Sequence, residues 1–181
     1  MRLAYLALIA LLPAAAQDFK IPPSIDKLAD KAEEVVDVTM DSSMLQLAGR
    51  FLSDKDADQA HAKKLIAGLK GVYVKSFQFE NAGEYDESDV AAMRAQLKPP
   101  MWSRIVGVRS KHKGDNAEVF LANDGAGIAG LVIICADPKE LTVVSIVGQI
   151  RPEDLRDLGG NFGIPKLDIG GTHANVGSKE K

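Results

Sequence analysis

Four short apolar segments, separated by turn signals, occupy residues 101–150 and constrain the fold more than any other feature of the chain. They read MWSRIVGVRS, AEVFLAND, GIAGLVIICAD and ELTVVSIVGQI. The turn-forming groups between them are Gly114-Asp115, Asn123-Asp124-Gly125 and Asp137-Pro138. Short strands at this spacing are typical of consecutive antiparallel hairpins. We therefore expect a β-meander in the C-terminal half of the domain.

Helical patterns dominate the chain before residue 100. Four helices are predicted to begin at or near Ser24, Asp41, Ser53 and Asp86, because each is a good N-cap ahead of an apolar helical face. Two strands, over residues 35–40 and 72–80, interrupt them. Helices followed by a meander indicate an α+β domain of two layers, with N-terminal helices packed on a mainly antiparallel β-sheet.

The spelling G-x-G-x-x-G occurs at Gly125, Gly127 and Gly130. A dinucleotide site requires a strand that runs directly into the first glycine and a helix that begins at the last. Here Asn123 and Asp124 precede the first glycine, and the β-branched stretch LVIICAD follows the last. We therefore predict a hairpin loop at this position and no binding of a dinucleotide.

The N-terminus has the three parts of a secretory signal peptide. Arg2 is followed by the apolar run 3–12, and Pro13 precedes a small-residue cleavage site. The run is too short for a bilayer, which takes about 20 residues, although an N-terminal membrane anchor is the alternative. We expect a signal peptide over residues 1–16, one α+β domain over 17–159 and a flexible glycine-rich tail over 160–181. The protein would be periplasmic or secreted, and not an integral membrane protein after cleavage.

The net charge argues against a nucleic-acid-binding protein, and the cysteine content excludes an intrachain disulfide. The net charge is −3, whereas nucleic-acid binding calls for a basic stripe, so we expect no nucleic-acid partner. Cys135 is the single cysteine, so no intrachain disulfide can form. Since it lies in an apolar run, it is expected to be a buried, inert thiol.

Neither a metal site nor a cofactor site is indicated. Asp54, Asp56 and Asp58 match the first ligand positions of a calcium loop, but Gln59 and Leu65 stand where that loop needs glycine and glutamate. The three histidines lack the spacing of zinc ligands. We therefore expect no cofactor.

Five carboxylates crowd one predicted loop, and they are Glu80, Glu84, Asp86, Glu87 and Asp89. They could form a weak calcium site, or two that converged in a pocket could act as the acid and base of a hydrolase. The same residues also suit a solvated loop that leads into a helix N-terminus. The alternatives are kept, and the solvated loop is preferred.

The segment GIAGLVIICAD is apolar on both alternating faces. Leu131 and Ile133 lie on one face, opposite Val132 and Ile134. A strand with one solvated face should alternate apolar with polar residues. Either this strand is central and covered twice, which we favour, or Leu131 and Ile133 contact a partner. A basic loop with Arg109, Lys111 and Lys113 is a second candidate contact, suited to an acidic partner.

Four stretches of the chain together resemble a known family. They read IDKLADKAEEVVDVTMDSSMLQLA, LIAGLKGVYVKSFQFE, MWSRIVGVRSK and GLVIICADPKELTVVSIVGQIRPEDLRDL. Their order resembles the exported bacterial family known as domain of unknown function 4252, over about residues 24–158. The resemblance implies a small exported α+β protein and no known catalytic residues. Many members carry a lipid-anchoring cysteine, which this chain lacks.

These observations favour a non-catalytic binding or regulatory module. No catalytic motif was found, and a protein partner in the cell envelope would account for the doubly apolar strand. The alternative is a small secreted hydrolase that uses carboxylates of the 80–89 loop.

Overall fold

A six-stranded antiparallel sheet is the centre of the fold. The computed structural model describes residues 19–110 and 116–152. The strands are β1 (Glu34–Asp41), β2 (Leu69–Gln78), β3 (Trp102–Arg109), β4 (Asn116–Asn123), β5 (Ile128–Asp137) and β6 (Glu140–Ile150). Their order is β1-β2-β6-β5-β4-β3, and every neighbouring pair is antiparallel.

The predicted meander is confirmed, since β3, β4, β5 and β6 are adjacent in both sequence and space. The chain reaches it after β1 and β2 have paired along eight consecutive residues. Strand β2 then pairs with β6, the last strand. This pairing joins the two halves of the chain into one sheet, with β1 and β3 at its edges.

The helices are α1 (Pro23–Asp26), which continues as a 3-10 turn over Lys27–Asp30, α2 (Ser42–Arg50), α3 (Ala57–Gly68) and α4 (Glu87–Arg94). Asp41 caps α2 by accepting hydrogen bonds from the backbone N–H groups of Ser43 and Met44, both at 2.9 Å. Asp56 caps α3 in the same way through Gln59. The predicted cap at Asp41 is confirmed, whereas the predicted cap at Ser53 is wrong, because α3 begins three residues later with Asp56 as its N-cap. Helix α1 begins one residue before Ser24, and α4 is shorter than expected.

Helices pack on both faces of the sheet. One face forms a first core with α1 and α4, which includes Ile25, Phe77, Val90, Met93, Val132 and Ile134. The opposite face forms a second core with α2 and α3, which includes Leu45, Leu65, Leu131, Ile133 and Ile146. The α+β class and antiparallel sheet are confirmed, but the two expected layers become three. The reason is that β5 and β6 are apolar on both faces and require cover on each.

Several predictions concern residues outside the described ranges. They are the signal peptide over 1–16, the tail over 160–181, and Lys111 and Lys113 of the basic loop. Among the residues that the structure does describe, no helix has both the length and the apolar character needed to cross a bilayer.

Candidate functional site

Leu131 and Ile133 are core residues. Their side chains are 3% and 2% exposed, within the second core beneath α2 and α3. Val132 and Ile134 are equally buried in the first core. Strand β5 is therefore central and covered on both sides, the preferred of the two readings, and a contact surface has to be sought elsewhere.

Cys135 follows in the second core and is partly buried. Burial, reinforced by the negative charges of Asp137 and Glu140, raises the pKa of its thiol to about 11. Because the thiolate is the reactive form, this cysteine is a poor nucleophile at neutral pH.

Arg109, the described member of the basic loop, ends β3 at the edge of a recess of about 290 Å³. The recess also contains Glu118, which accepts hydrogen bonds from Arg94 and, at 2.8 Å, from Arg104. Burial raises the pKa of Glu118, but the hydrogen bonds and charges of the two arginines outweigh it, so the pKa lies below its ordinary value. The ion cluster ties α4 to β3 and β4.

Four carboxylates of the acidic loop at residues 80–89 make hydrogen bonds or ion pairs that stabilise the local structure. Glu84 accepts hydrogen bonds from the backbone and side-chain nitrogens of Asn81. Asp86 and Asp89 form the capping box of α4, and Glu87 pairs with Arg94. Among the described residues there is no cluster of acids, histidine or cysteine suited to hold a metal ion.

The first two glycines of the G-x-G-x-x-G segment lie in the turn between β4 and β5, and Gly130 lies in β5, so the predicted hairpin is confirmed. Asp124 accepts hydrogen bonds from the N–H groups of Ala126 and Gly127, at 2.9 and 3.0 Å, and from the Gln149 side chain. Gly125 has φ of +87°, a conformation that glycine adopts without strain. The hydrogen bonds from these donors, led by that of Ala126, keep the pKa of Asp124 below its ordinary value.

An open groove of about 630 Å³ lies on the first-core face, beside the part of the sheet that α1 and α4 leave uncovered. Its floor contains Tyr73 of β2 with Ser145 and Val147 of β6. One wall is the segment Phe19–Ile21, and the other is the edge strand β1 at residues 37–39. The edge strand β1 therefore separates the groove from the outer edge of the sheet.

An ion cluster stands where the groove meets β1. Lys75 Nζ lies 2.5 Å from Asp26 Oδ1 and 2.8 Å from Asp37 Oδ2. Its hydrogen bonds to Asp26 and then Asp37 raise the pKa of this lysine, so it stays charged. The Asp37 carboxylate is half exposed and remains accessible from solvent.

Glycines shape the floor of the groove where β2 and β6 meet. A Cβ at Gly71 would lie 2.8 Å from the Tyr73 ring. Glycine at position 71 therefore leaves the space that this ring occupies. Gly148 has φ of +136°, and a Cβ there would lie 2.5 Å from the Gly68 carbonyl oxygen. The segments GLKGV and VVSIVGQI, which carry much of the family resemblance, therefore touch at a point where only glycine fits.

The β1–α2 surface, which we define as residues 34–51, exposes most of the apolar side chains found on the outside. Six of the eight large exposed apolar side chains in the described ranges belong to it, and they are Val35, Val36, Val38, Met44, Leu47 and Phe51. Phe51 is 81% exposed. Clustered exposed apolar residues mark interaction surfaces more often than isolated ones do.

Sequence reasoning missed this surface, although α2 carried a signal. Its apolar residues occupy more positions than one face of a helix can bury. Leu45 faces the second core, while Met44 and Leu47 face outward. Only the packing of α2 on the sheet decides which of these side chains is left outside.

Comparison with known proteins gives one family. No curated protein and no solved structure matches the chain significantly. A family model described as a domain of unknown function (DUF4252) matches residues 29–158, which include all six described strands and three of the four described helices. The expected resemblance is confirmed, and the chain belongs to the DUF4252 family.

Proposed function

We propose that the protein is an exported, non-catalytic binding module that contacts a protein partner in the cell envelope through the β1–α2 surface. The observation that carries the proposal is the concentration of exposed apolar side chains within residues 34–51. Single exposed apolar residues are ordinary on monomers, but six of the eight large ones in the described ranges fall within residues 34–51, which favours contact with another protein. The N-terminal sequence, with its signal-peptide pattern, supports placement in the envelope.

The hydrolase alternative receives less support. Glu84, Asp86, Glu87 and Asp89 are each committed to a turn, a cap or an ion pair. The groove is lined by single carboxylates from separate elements, one of which, Asp37, is already paired with Lys75. A general acid and base require a pair of groups with distinct environments that face the same reacting bond.

A pull-down with matched variants tests the proposal. The full-length mature protein, tagged at its C-terminus, is cross-linked in the envelope of the source organism and recovered. Leu47→Ser combined with Phe51→Ser (the α2 variant) removes apolar surface from α2 and from the residue that follows it, and Ile105→Ser combined with Val108→Ser (the β3 variant) does so on β3. Both pairs are exposed, so each variant should keep the stability of the native chain within about 0.5 kcal/mol per site.

We expect one defined partner to be recovered with the wild type and the β3 variant, and to be reduced at least about tenfold with the α2 variant. Loss of about 1.4 kcal/mol of binding energy is enough for that factor. Equal recovery with both variants would contradict contact through the β1–α2 surface. A carboxylate-dependent hydrolytic activity in the purified protein would support the alternative.

A further inference from the structure

Among the described residues, the outer edge of β1 has no strand beside it along its whole length. Its inner side pairs with β2 in unbroken register from Glu34–Gln78 to Asp41–Gly71. No other described strand lies on its outer side, and every residue of β1 except Met40 is exposed. An extended strand whose outward N–H and C=O groups lack a partner is a template for the addition of another strand.

The other edge of the sheet is protected. Strand β3 has a register shift between Arg104 and Val106, which breaks the regular row of outward backbone groups. β1 has neither a bulge nor a proline nor a lysine, and its charged side chains, Glu34, Asp37 and Asp41, are all acidic. The two edges therefore differ, and β1 is the one that can accept a strand.

Charge identifies the kind of strand that fits. Between Lys31 and Arg50 the chain has four carboxylates, Glu33, Glu34, Asp37 and Asp41, and no lysine or arginine. Lys75 from β2 pairs with one of them, Asp37. Opposite charges placed side by side on neighbouring strands are stabilising and like charges are destabilising. An incoming strand should therefore be basic, with apolar residues to cover the exposed valines.

The same argument disfavours a second copy of this chain. If two β1 strands paired antiparallel about Asp37, in a register that keeps side chains of the same face together, the Asp37 carboxylates of the two copies would lie opposite each other. Like charges in that position oppose the pairing. The acidic residues of β1 therefore disfavour pairing with a second copy of β1 and favour pairing with a basic segment of another protein.

The groove supplies a place for the side chains of such a segment. Asp37 and Thr39 of β1 line it, and side chains on a neighbouring strand lie about 5 Å from those of β1. Those that project on this face would reach over the groove, past the half-exposed Asp37 carboxylate. Strand addition binds through the backbone, and pockets for alternate side chains give it selectivity.

We infer that the partner donates an extended basic segment, which adds to β1 as a seventh strand and places basic side chains beside Asp37 at the mouth of the groove. The inference rests on the proposed function, since it specifies the chemistry of the partner for the β1–α2 surface.

Synthetic peptides test the inference with the full-length mature protein. A labelled nine-residue peptide of alternating lysine and valine is compared by fluorescence polarisation with one of alternating glutamate and valine. We expect the lysine peptide to bind at least about tenfold more tightly, and its affinity to fall as salt is raised. Equal binding of the two peptides, or binding of neither, overturns the inference.

Backbone N-methylation separates strand addition from simple charge attraction. Two versions of the lysine peptide are methylated at alternate residues, so that each has lost the hydrogen-bond donors of one edge. Because one edge of an added strand faces β1 and the other faces solvent, one version should lose binding and the other should keep it. If both versions bind as the parent does, the peptide is not a seventh strand.

Two variants locate the contact. Asp37→Asn should weaken the lysine peptide several-fold, while Lys75 keeps its pairing with Asp26. Asp54→Asn, which also removes a lysine-paired exposed carboxylate, should leave affinity unchanged. Dimers that sediment intact in the presence of the peptide would instead assign β1 to a second copy. Capture of a partner that depends on Leu47 and Phe51, without peptide binding, would keep the proposed function and reject this inference.

Discussion

Gly148 shows how a single residue controls the junction of β2 and β6. Its φ of +136° and the approach of the Gly68 carbonyl leave no room for a side chain. Any other residue would impose backbone strain and a contact with main-chain atoms that cannot rotate away. The register shift between Leu69 and Gly71 occurs at the same junction.

We therefore predict that Gly148→Ala lowers the free energy of unfolding by about 1–3 kcal/mol or more, the range for strained backbone. Gly49→Ala is the control, because a Cβ there would meet Ile66 Cγ2 at an ordinary 3.9 Å. Within α2 that change should stabilise by up to about 1 kcal/mol. Urea unfolding measures both, and equal effects of the two substitutions would contradict the role of the backbone conformation.

Glu118 determines part of the response of the fold to acid. Its pKa is lowered in the folded state by Arg104 and Arg94, which outweigh the effect of burial. A group with a lowered folded pKa contributes stability that is complete above its unfolded pKa, about 4.3, and is lost as pH falls through the folded pKa.

We predict that Glu118→Gln costs about 1–3 kcal/mol at neutral pH, the range for hydrogen bonds to charged groups. The difference between wild type and variant should stay constant from about pH 7 to pH 5 and shrink below about pH 4. Urea unfolding as a function of pH measures it, since the other carboxylates are common to both proteins. A difference that grows as pH falls would show that the sign of the pKa shift is wrong.

Strand β5 contributes buried side chains to both cores, one core on each of its faces. Ile133 points to the second core and Ile134 to the first, and both are almost fully buried. They are neighbours of the same residue type, so they compare the two cores directly.

Ile133→Ala and Ile134→Ala should each lower the free energy of unfolding by about 2–5 kcal/mol, from lost burial and the cavity left behind. Val108→Ala, exposed on β3, is the control and should change it by no more than about 0.5 kcal/mol. Denaturant melts measure all three. A small effect of Ile133→Ala alone would mean that α2 and α3 do not cover that face in solution.

The elements themselves were largely predictable from local patterns. The four strands between residues 101 and 150 were expected within one or two residues, because alternating β-branched residues and Asp-Gly or Asp-Pro turns are local signals. The cap at Asp41 was also predictable, since it depends on residues two and three positions away. The cap of α3 was expected at Ser53 and lies at Asp56. Helix α4, by contrast, ends at Arg94 and not near Lys98.

At the scale of the whole molecule, the proposed function depends on export. We predict that in its native host the mature chain begins at or near Gln17 and is released by osmotic shock. Mass spectrometry of the released protein measures its N-terminus, and a cytoplasmic protein of known size serves as the control for leakage. Intact Met1 on most molecules would contradict the signal peptide and, with it, the placement in the envelope.

The sequence by itself determined the α+β class, the meander, the hairpin at Gly125–Gly127 and the family, because hydrophobic periodicity, turn chemistry and motif order are properties of neighbouring residues. The tertiary structure alone decided that β2 pairs with β6, that helices cover both faces, and that Leu131 and Ile133 are buried. It also decided that β1 is an edge and that Phe51 lies outside. Those outcomes depend on contacts between residues distant in sequence. The sequence pattern around an apolar residue is the same whether its side chain is covered by a helix or exposed to solvent.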